Sequence, residues 1–359
     1  MKIGLVGLNQ TGKTTVFNLL TGRRDTEIPG KTSSNTGIGF VPDKRIDFLS
    51  ALYKPKKVSY AKIEFTDVPG FSATWGTQKS GAAKFLSDVR NCDALVYVLR
   101  AFEADTLPTE RGVINPFADL EVLESELLLA DLVMLERRIE RIKTSKKIGK
   151  DLADELILLQ QLFEYLDGGS SINDKTDLPE KEQNILRQLS FLTAKPRMTA
   201  VNQDENQFKS KKYPYMAELS AECDRLGIPI LELCAAMELE ISALPEDDKI
   251  LFMDDLGLTE PGIAVLARVA YGILGYISFF TVGEDEVKAW TVEKGIQAKH
   301  AAGKIHTDME KGFIKAEVAK YTDVEELGSM SKVKEKGLFR LEGKDYVVID
   351  GDIISFRFN

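Results

Sequence analysis

Residues Gly7 to Thr14 read Gly-Leu-Asn-Gln-Thr-Gly-Lys-Thr and fit G-x-x-x-x-G-K-[ST] without a mismatch. In that pattern the glycines let backbone N–H groups turn inward around phosphate oxygens, at the positive end of a following helix. Lys13 would reach the β- and γ-phosphates, and the Thr14 hydroxyl would ligate Mg2+. Candidate phosphate contacts are Asn9, Gln10, Thr11, Gly12, Lys13, Thr14 and Thr15. Downstream, Asp67-Val68-Pro69-Gly70 has the D-x-x-G arrangement. There Asp67 would hold Mg2+ through a water, and the Gly70 amide would sense the γ-phosphate.

A third group is Asn202-Gln203-Asp204-Glu205. Nucleotide switches that select guanine carry Asn-Lys-x-Asp, whose aspartate accepts protons from guanine N1 and the exocyclic amine. Glu205 is one methylene longer and cannot occupy the same position, and Gln203 lacks the lysine stem that covers the base. Asn202 can still bond the N7 edge that both purines share. The stretch therefore reads as a purine site that admits ATP as well as GTP.

Two loops bear on hydrolysis. Between the phosphate loop and Asp67 lies Glu27-Ile-Pro-Gly-Lys-Thr32-Ser-Ser-Asn35, polar and suited to closing over Mg2+ and triphosphate. Thr32 is the candidate for a second metal-ligating hydroxyl, with Ser33 and Thr36 as alternatives. Phe71 follows Gly70, where many switches place a glutamine that orients the attacking water. Phenylalanine has no hydrogen-bonding group. Hydrolysis is then slow until another group is supplied, or another loop orients the water, or Phe71 simply packs. The catalytic candidates are Lys13, Gly70 and Phe71.

These residues need particular elements to position them. Lys2–Val6 is a short apolar run of the kind that forms a buried parallel strand, and Thr15–Gly22 is a helix-like segment stopped by glycine. Ala61–Thr66 reads as a strand ending at Asp67, and Lys195–Val201 as a strand delivering Asn202. Ile228–Ala236 reads as a last strand with a small-residue loop. From Asp119 to Lys147, Leu120, Leu123, Leu127, Val133, Ile139 and Ile142 recur mostly three and four residues apart, which makes a long amphipathic helix. A second helix follows over Leu152–Leu166. The economical reading is a helical hairpin inserted into an α/β domain. After Phe280 short alternating segments predict a small β-rich domain.

At 359 residues the chain is long enough for two or three domains. With 43% hydrophobic and 29% charged residues it is an ordinary globular composition. A net charge of -9 argues against broad nucleic-acid binding, and no specific DNA contact is expected. Cys92, Cys223 and Cys234 have neither pair nor metal spacing, which fits buried thiols in a reducing cytoplasm. No apolar run approaches a membrane span, so a cytoplasmic location and no membrane partner are expected.

The motifs together carry a family resemblance. The phosphate loop, Val41-Pro42-Asp43, Lys54-Pro55-Lys56-Lys57, Asp67–Phe71, Phe85-Leu86-Ser87, Leu129-Ala130-Asp131, Ala289-Trp290-Thr291, Ile305–Phe313 and Arg340–Tyr346 resemble the YchF subfamily of Obg-related P-loop NTPases. The resemblance runs from the first strand to Asn359. It implies an α/β P-loop NTPase with a mostly parallel sheet flanked by helices, an inserted α-helical coiled-coil hairpin, and a C-terminal β-grasp (TGS) domain. The implied segments are 1–117 and 195–277 for the NTPase domain, 118–194 for the insertion and 278–359 for TGS.

Members carry a hydrophobic residue in place of the catalytic glutamine and an Asn-x-x-Glu base motif, which Phe71 and Asn202 with Glu205 match. In the wider superfamily the loop holding Cys234 and Ala235 backs the base; Cys234 reads equally as a core cysteine. The resemblance implies a Mg2+-dependent triphosphatase that binds and slowly hydrolyses ATP, and GTP as a second substrate. It also implies contact with the ribosome, through ribosomal RNA or protein. From Ser278 onward 13 Lys and Arg face 15 Asp and Glu, so charge does not by itself mark an RNA surface. The alternative functions are a nucleotide-gated binding protein whose hydrolysis is incidental, or a GTP-specific GTPase. The chain also departs from the family. Asn9 and Gln10 replace the usual Pro and Asn, and that Asn is the residue related NTPases use to hold a monovalent cation. The sequence assigns no oligomeric state.

Overall fold

A computed structural model describes residues 1–23, 35–70, 79–104, 112–145, 149–172 and 179–359. The chain opens with β1 (Lys2–Val6), α1 (Lys13–Thr21), β2 (Asn35–Val41), α2 (Lys44–Tyr53), β3 (Lys57–Ser59) and β4 (Ala61–Asp67). Then come α3 (Lys79–Arg90), β5 (Ala94–Arg100), α4 (Pro116–Lys143), α5 (Lys150–Asp167), α6 (Glu180–Leu189) and β6 (Arg197–Asn202). They are followed by α7 (Glu205–Ser210), α8 (Met216–Leu226), β7 (Ile230–Leu233), α9 (Ala235–Ala243), α10 (Glu246–Asp255) and α11 (Gly262–Ile273). The C-terminal stretch holds β8 (Tyr276–Thr281), β9 (Glu286–Glu293), α12 (Ala298–Ile305), α13 (Thr307–Lys311) and β10 (Phe313–Lys320). It closes with α14 (Tyr321–Leu327), α15 (Met330–Glu335), β11 (Arg340–Glu342) and β12 (Asp352–Phe358).

The chain divides into two compact units. The first comprises Met1–Leu19, Arg23–Gly37 and Phe65–Gly262, and the second Leu20–Gly22, Ile38–Glu64 and Ile263–Asn359. One six-stranded sheet has the order β2-β4-β1-β5-β6-β7; its strands β1, β5, β6 and β7 pair in parallel and lie in the first unit. Every residue of β5 is buried, as a central strand covered on both faces requires. The core here gathers Val6, Leu95, Tyr97, Leu99, Val201 and Leu219 with Leu120, Leu123 and Leu127 of α4.

The helix expected over 119–147 runs from Pro116 to Lys143. It starts earlier because Asn115 caps it, its side chain accepting from Ala118 N–H at 2.9 Å, and Pro116 fits the first turn. At about 1.5 Å per residue α4 is roughly 42 Å long. It serves two cores: beyond Asp131, Leu135 and Ile142 pack with Leu158, Leu159, Leu162 and Leu166 of α5, Ile172 and Phe191. Arg138 pairs with Glu155 across these helices at 2.8 Å and 3.1 Å. The inserted hairpin is therefore present.

The second unit holds a sheet of order β11-β10-β12-β8-β9-β3. Its core joins Phe279, Val292, Val318, Ile354 and Phe356 to Ala298, Ala301 and Ala302 of α12. The expected β-rich domain is thus present, and its edge strand comes from far upstream: Lys57–Ser59 pair in parallel with Glu286–Lys288. No described helix is long and apolar enough to cross a membrane.

Candidate nucleotide site

β1 ends at Val6 and α1 begins at Lys13, so residues 7–12 form a loop at the C-terminal end of a parallel strand, where ligands of such sheets bind. β4 ends beside it, with Val68 N–H donating to Leu5 O at 3.1 Å. This juxtaposition brings the two predicted motifs together. Lys13 Nζ donates to Asp67 Oδ1 at 2.8 Å, and Thr14 Oγ1 donates to Asp67 Oδ2 at 2.8 Å. Lys13 and Asp67 are 8% and 7% exposed, so each compensates a charge the other would leave stranded.

Other loop residues fall as follows. Thr11 is buried and its hydroxyl donates to Leu8 O at 3.3 Å, while Asn9 and Gln10 are exposed and Thr15 is half-buried. Gly12 has φ +84°, and a Cβ there would strike Asn202 Nδ2. Only glycine lets the loop rest against that amide. A Cβ on Gly70 would likewise strike Asn9 Oδ1, so Gly70 lies against the phosphate loop.

Asn202, at the end of β6, is 4% exposed. Its Nδ2 donates to Thr11 O at 3.0 Å, and its Oδ1 accepts from Ala235 N–H at 3.0 Å. One side chain thus ties the phosphate loop to the start of α9. Cys234, just before α9, is buried, and that burial pushes its thiol pKa up. Burial thus favours the neutral thiol over the thiolate.

The acidic residues after Asn202 are both engaged. Asp204 caps α7, its Oδ1 accepting from Gln207 N–H at 2.9 Å while Gln207 Oε1 accepts from Asp204 N–H at 3.1 Å. Glu205 is exposed, and its Oε1 accepts from Lys209 Nζ at 2.6 Å one turn along the helix. That bond raises the Lys209 pKa. Gln203 is 2% exposed, its N–H donates to Leu233 O at 2.8 Å, and neither side-chain polar atom has a partner among the described residues.

Sequence reading passed over Asp204, Gln207 and Lys209. Asp204-x-x-Gln207 is a capping-box signature and was the available signal for the first two. Thr32 and Phe71 lie outside the described residues.

A phosphate loop between β1 and α1, a strand-end aspartate on its lysine and threonine, and an asparagine bridging to the last strand's loop define a P-loop NTPase. The chain belongs to the YchF family. Residues 276–359 match the family model of the YchF GTPase C-terminal domain, described as a protein of unknown function. Residues 2–127 match a model described as a 50S ribosome-binding GTPase. The chain is 40% identical over 362 residues to the ribosome-binding ATPase YchF of Pasteurella multocida, covering 100% of this chain and 99% of that one. It is 38% identical to the protein of the same name from Bacillus subtilis, covering 99% and 98%. The Schizosaccharomyces pombe YchF GTPase structure is similar with a TM-score of 0.86 at 29% identity, covering 99% of this chain and 97% of that one.

Proposed function

We propose that this protein is a Mg2+-dependent nucleoside triphosphatase that binds and slowly hydrolyses ATP, takes GTP as a second substrate, and works at the ribosome in the cytoplasm. The observation that carries the reading is the convergence of Lys13 and Thr14 on Asp67. A hydroxyl and a carboxylate at one spot form the oxygen donor set a hard cation takes, so Mg2+ fits Thr14 and Asp67. Bound there, it would neutralise charge on the β- and γ-oxygens. Lys13 exchanges its carboxylate partner for phosphate, and the Gly70 amide meets the γ-phosphate. Thr32 supplies the second hydroxyl in this reading. Phe71, unable to hydrogen-bond a water, keeps unaided turnover low.

Two features support admission of ATP. Asp204 is committed to its helix cap, and Glu205 is exposed, pairs along the helix with Lys209 and is one methylene longer than the aspartate that clamps guanine N1–H and its amine. Asn202 uses one Nδ2 proton on Thr11 O and keeps the second for the N7 edge common to both purines. Ribosome association draws support from relatives named ribosome-binding ATPases and from the resemblance of the C-terminal segment to TGS. The division into 1–117, 118–194, 195–277 and 278–359 belongs to the same proposal.

Calorimetry with Mg2+ and either ATP or GTP tests it. ATP is expected to bind at least as tightly as GTP, and Lys13→Ala to abolish binding of both. Strong preference for GTP would overturn the ATP reading; binding of neither would overturn the whole.

A further inference from the structure

Gln207 does more than close the cap of α7. With Oε1 and its backbone N–H engaged by Asp204, the free end of the same amide turns elsewhere: Nε2 donates to Ala101 O at 2.8 Å. Ala101 is the first residue after β5 and is fully buried. Its N–H, at 2.9 Å, and that of Phe102, at 3.2 Å, both donate to Asn202 O. Phe102 in turn lies beside the phosphate loop, since a Cβ on Gly12 would come within 4.0 Å of its Cε1. One carboxamide therefore joins the start of α7 to the chain leaving β5, and both flank Asn202.

We propose that Gln207 is a positioning residue for base recognition. It holds Asn202 and Phe102 in place relative to the phosphate loop, so that the nucleotide meets a preformed slot and not one it must order on arrival. The inference rests on the nucleotide reading above. A capping box needs only an acceptor at this position, which glutamate supplies as well as glutamine. The bond to Ala101 O needs a donor, which an ionised glutamate lacks. The Ala101 bond is what requires glutamine here.

The test uses the full chain with Gln207→Glu and Gln207→Met, titrated by calorimetry with Mg2+-ATP and with Mg2+ and inorganic triphosphate. Gln207→Glu keeps the acceptor for Asp204 N–H and sets a carboxylate against the Ala101 carbonyl. ATP affinity is expected to fall about ten-fold, with triphosphate affinity held within about two-fold. KM for ATP should rise while kcat at saturation stays put. The glutamate defect should shrink as pH falls through the carboxylate range, because the protonated acid regains a donor. Gln207→Met should lose ATP affinity without that recovery, and it decides alone if the glutamate variant does not fold. Unchanged ATP affinity in the variants, equal loss of ATP and triphosphate, or identical pH profiles for Glu and Met would each overturn the inference. Wild type that binds neither ATP nor GTP is a separate result, read before any variant, and overturns the nucleotide reading together with this one.

Discussion

Gln203 is the residue whose environment fits its chemistry least. The carboxamide is 2% exposed and neither polar atom bonds to the described residues, a setting that costs a buried amide hydration unless a water or ligand meets it. Its N–H is pinned to Leu233 O, so the backbone cannot carry it outward. Replacing it with methionine, of similar length and without polar atoms, is expected to stabilise the nucleotide-free protein by about 1–2 kcal/mol. Urea unfolding checks this: the midpoint should rise with an unchanged slope, and a fall would show that the amide has a partner of real value. The Lys13–Asp67 pair shows the opposite logic. Each partner there is expensive alone, and together they offset each other's burial.

Among the elements, α4 links two packings. Its first half contributes Leu120, Leu123 and Leu127 to the core around β5, and its second half contributes Leu135 and Ile142 to the hairpin. Between them Asp131, fully buried, accepts from Leu192 N–H at 2.9 Å, and from Thr193 N–H and its hydroxyl at 2.8 Å each. The returning chain is thereby fixed where the two cores divide, with Phe191 packed in one and Leu192 in the other. Asp131→Ala strands two buried N–H groups and is expected to cost about 3 kcal/mol. Hydrogen exchange should then show protection lost first at residues 191–193 and in α5. A uniform loss across the sheet would place the role of Asp131 elsewhere.

At the scale of the whole molecule, the domain that begins near Tyr276 is not complete in the C-terminal stretch. β3 supplies the strand beside β9, and Arg45 of α2 donates to Asp350 at 2.6 Å and to Asp43 at 2.9 Å while lying 5.1 Å from the Phe280 ring centre. Asp350 also accepts from Ser278 N–H at 2.9 Å. A fragment of residues 263–359 lacks these contacts and leaves β9 as an open edge. It is expected to unfold with less cooperativity than the same residues within the full chain, measured by exchange and circular dichroism. Within the full chain Arg45→Met should cost about 2 kcal/mol, with β8 and β9 losing protection first. A fragment as stable as the intact unit would show that residues 38–64 are only passengers.

Much of the candidate nucleotide site was legible from residues alone, because its first part is local. The phosphate loop is a contiguous run of residues whose glycines, lysine and threonine act through backbone geometry and short reach. The flanking strand and helix announce themselves by period, as do the long helices of the insertion. The tertiary structure alone decided which carboxylate meets Lys13 and that Gln207 reaches Ala101. It also decided that Lys57-Val58-Ser59 is a sheet edge. The physical reason is common to all three. A hydrogen-bond partner across the fold is chosen by packing, and a three-residue polar strand has no periodicity by which to announce itself.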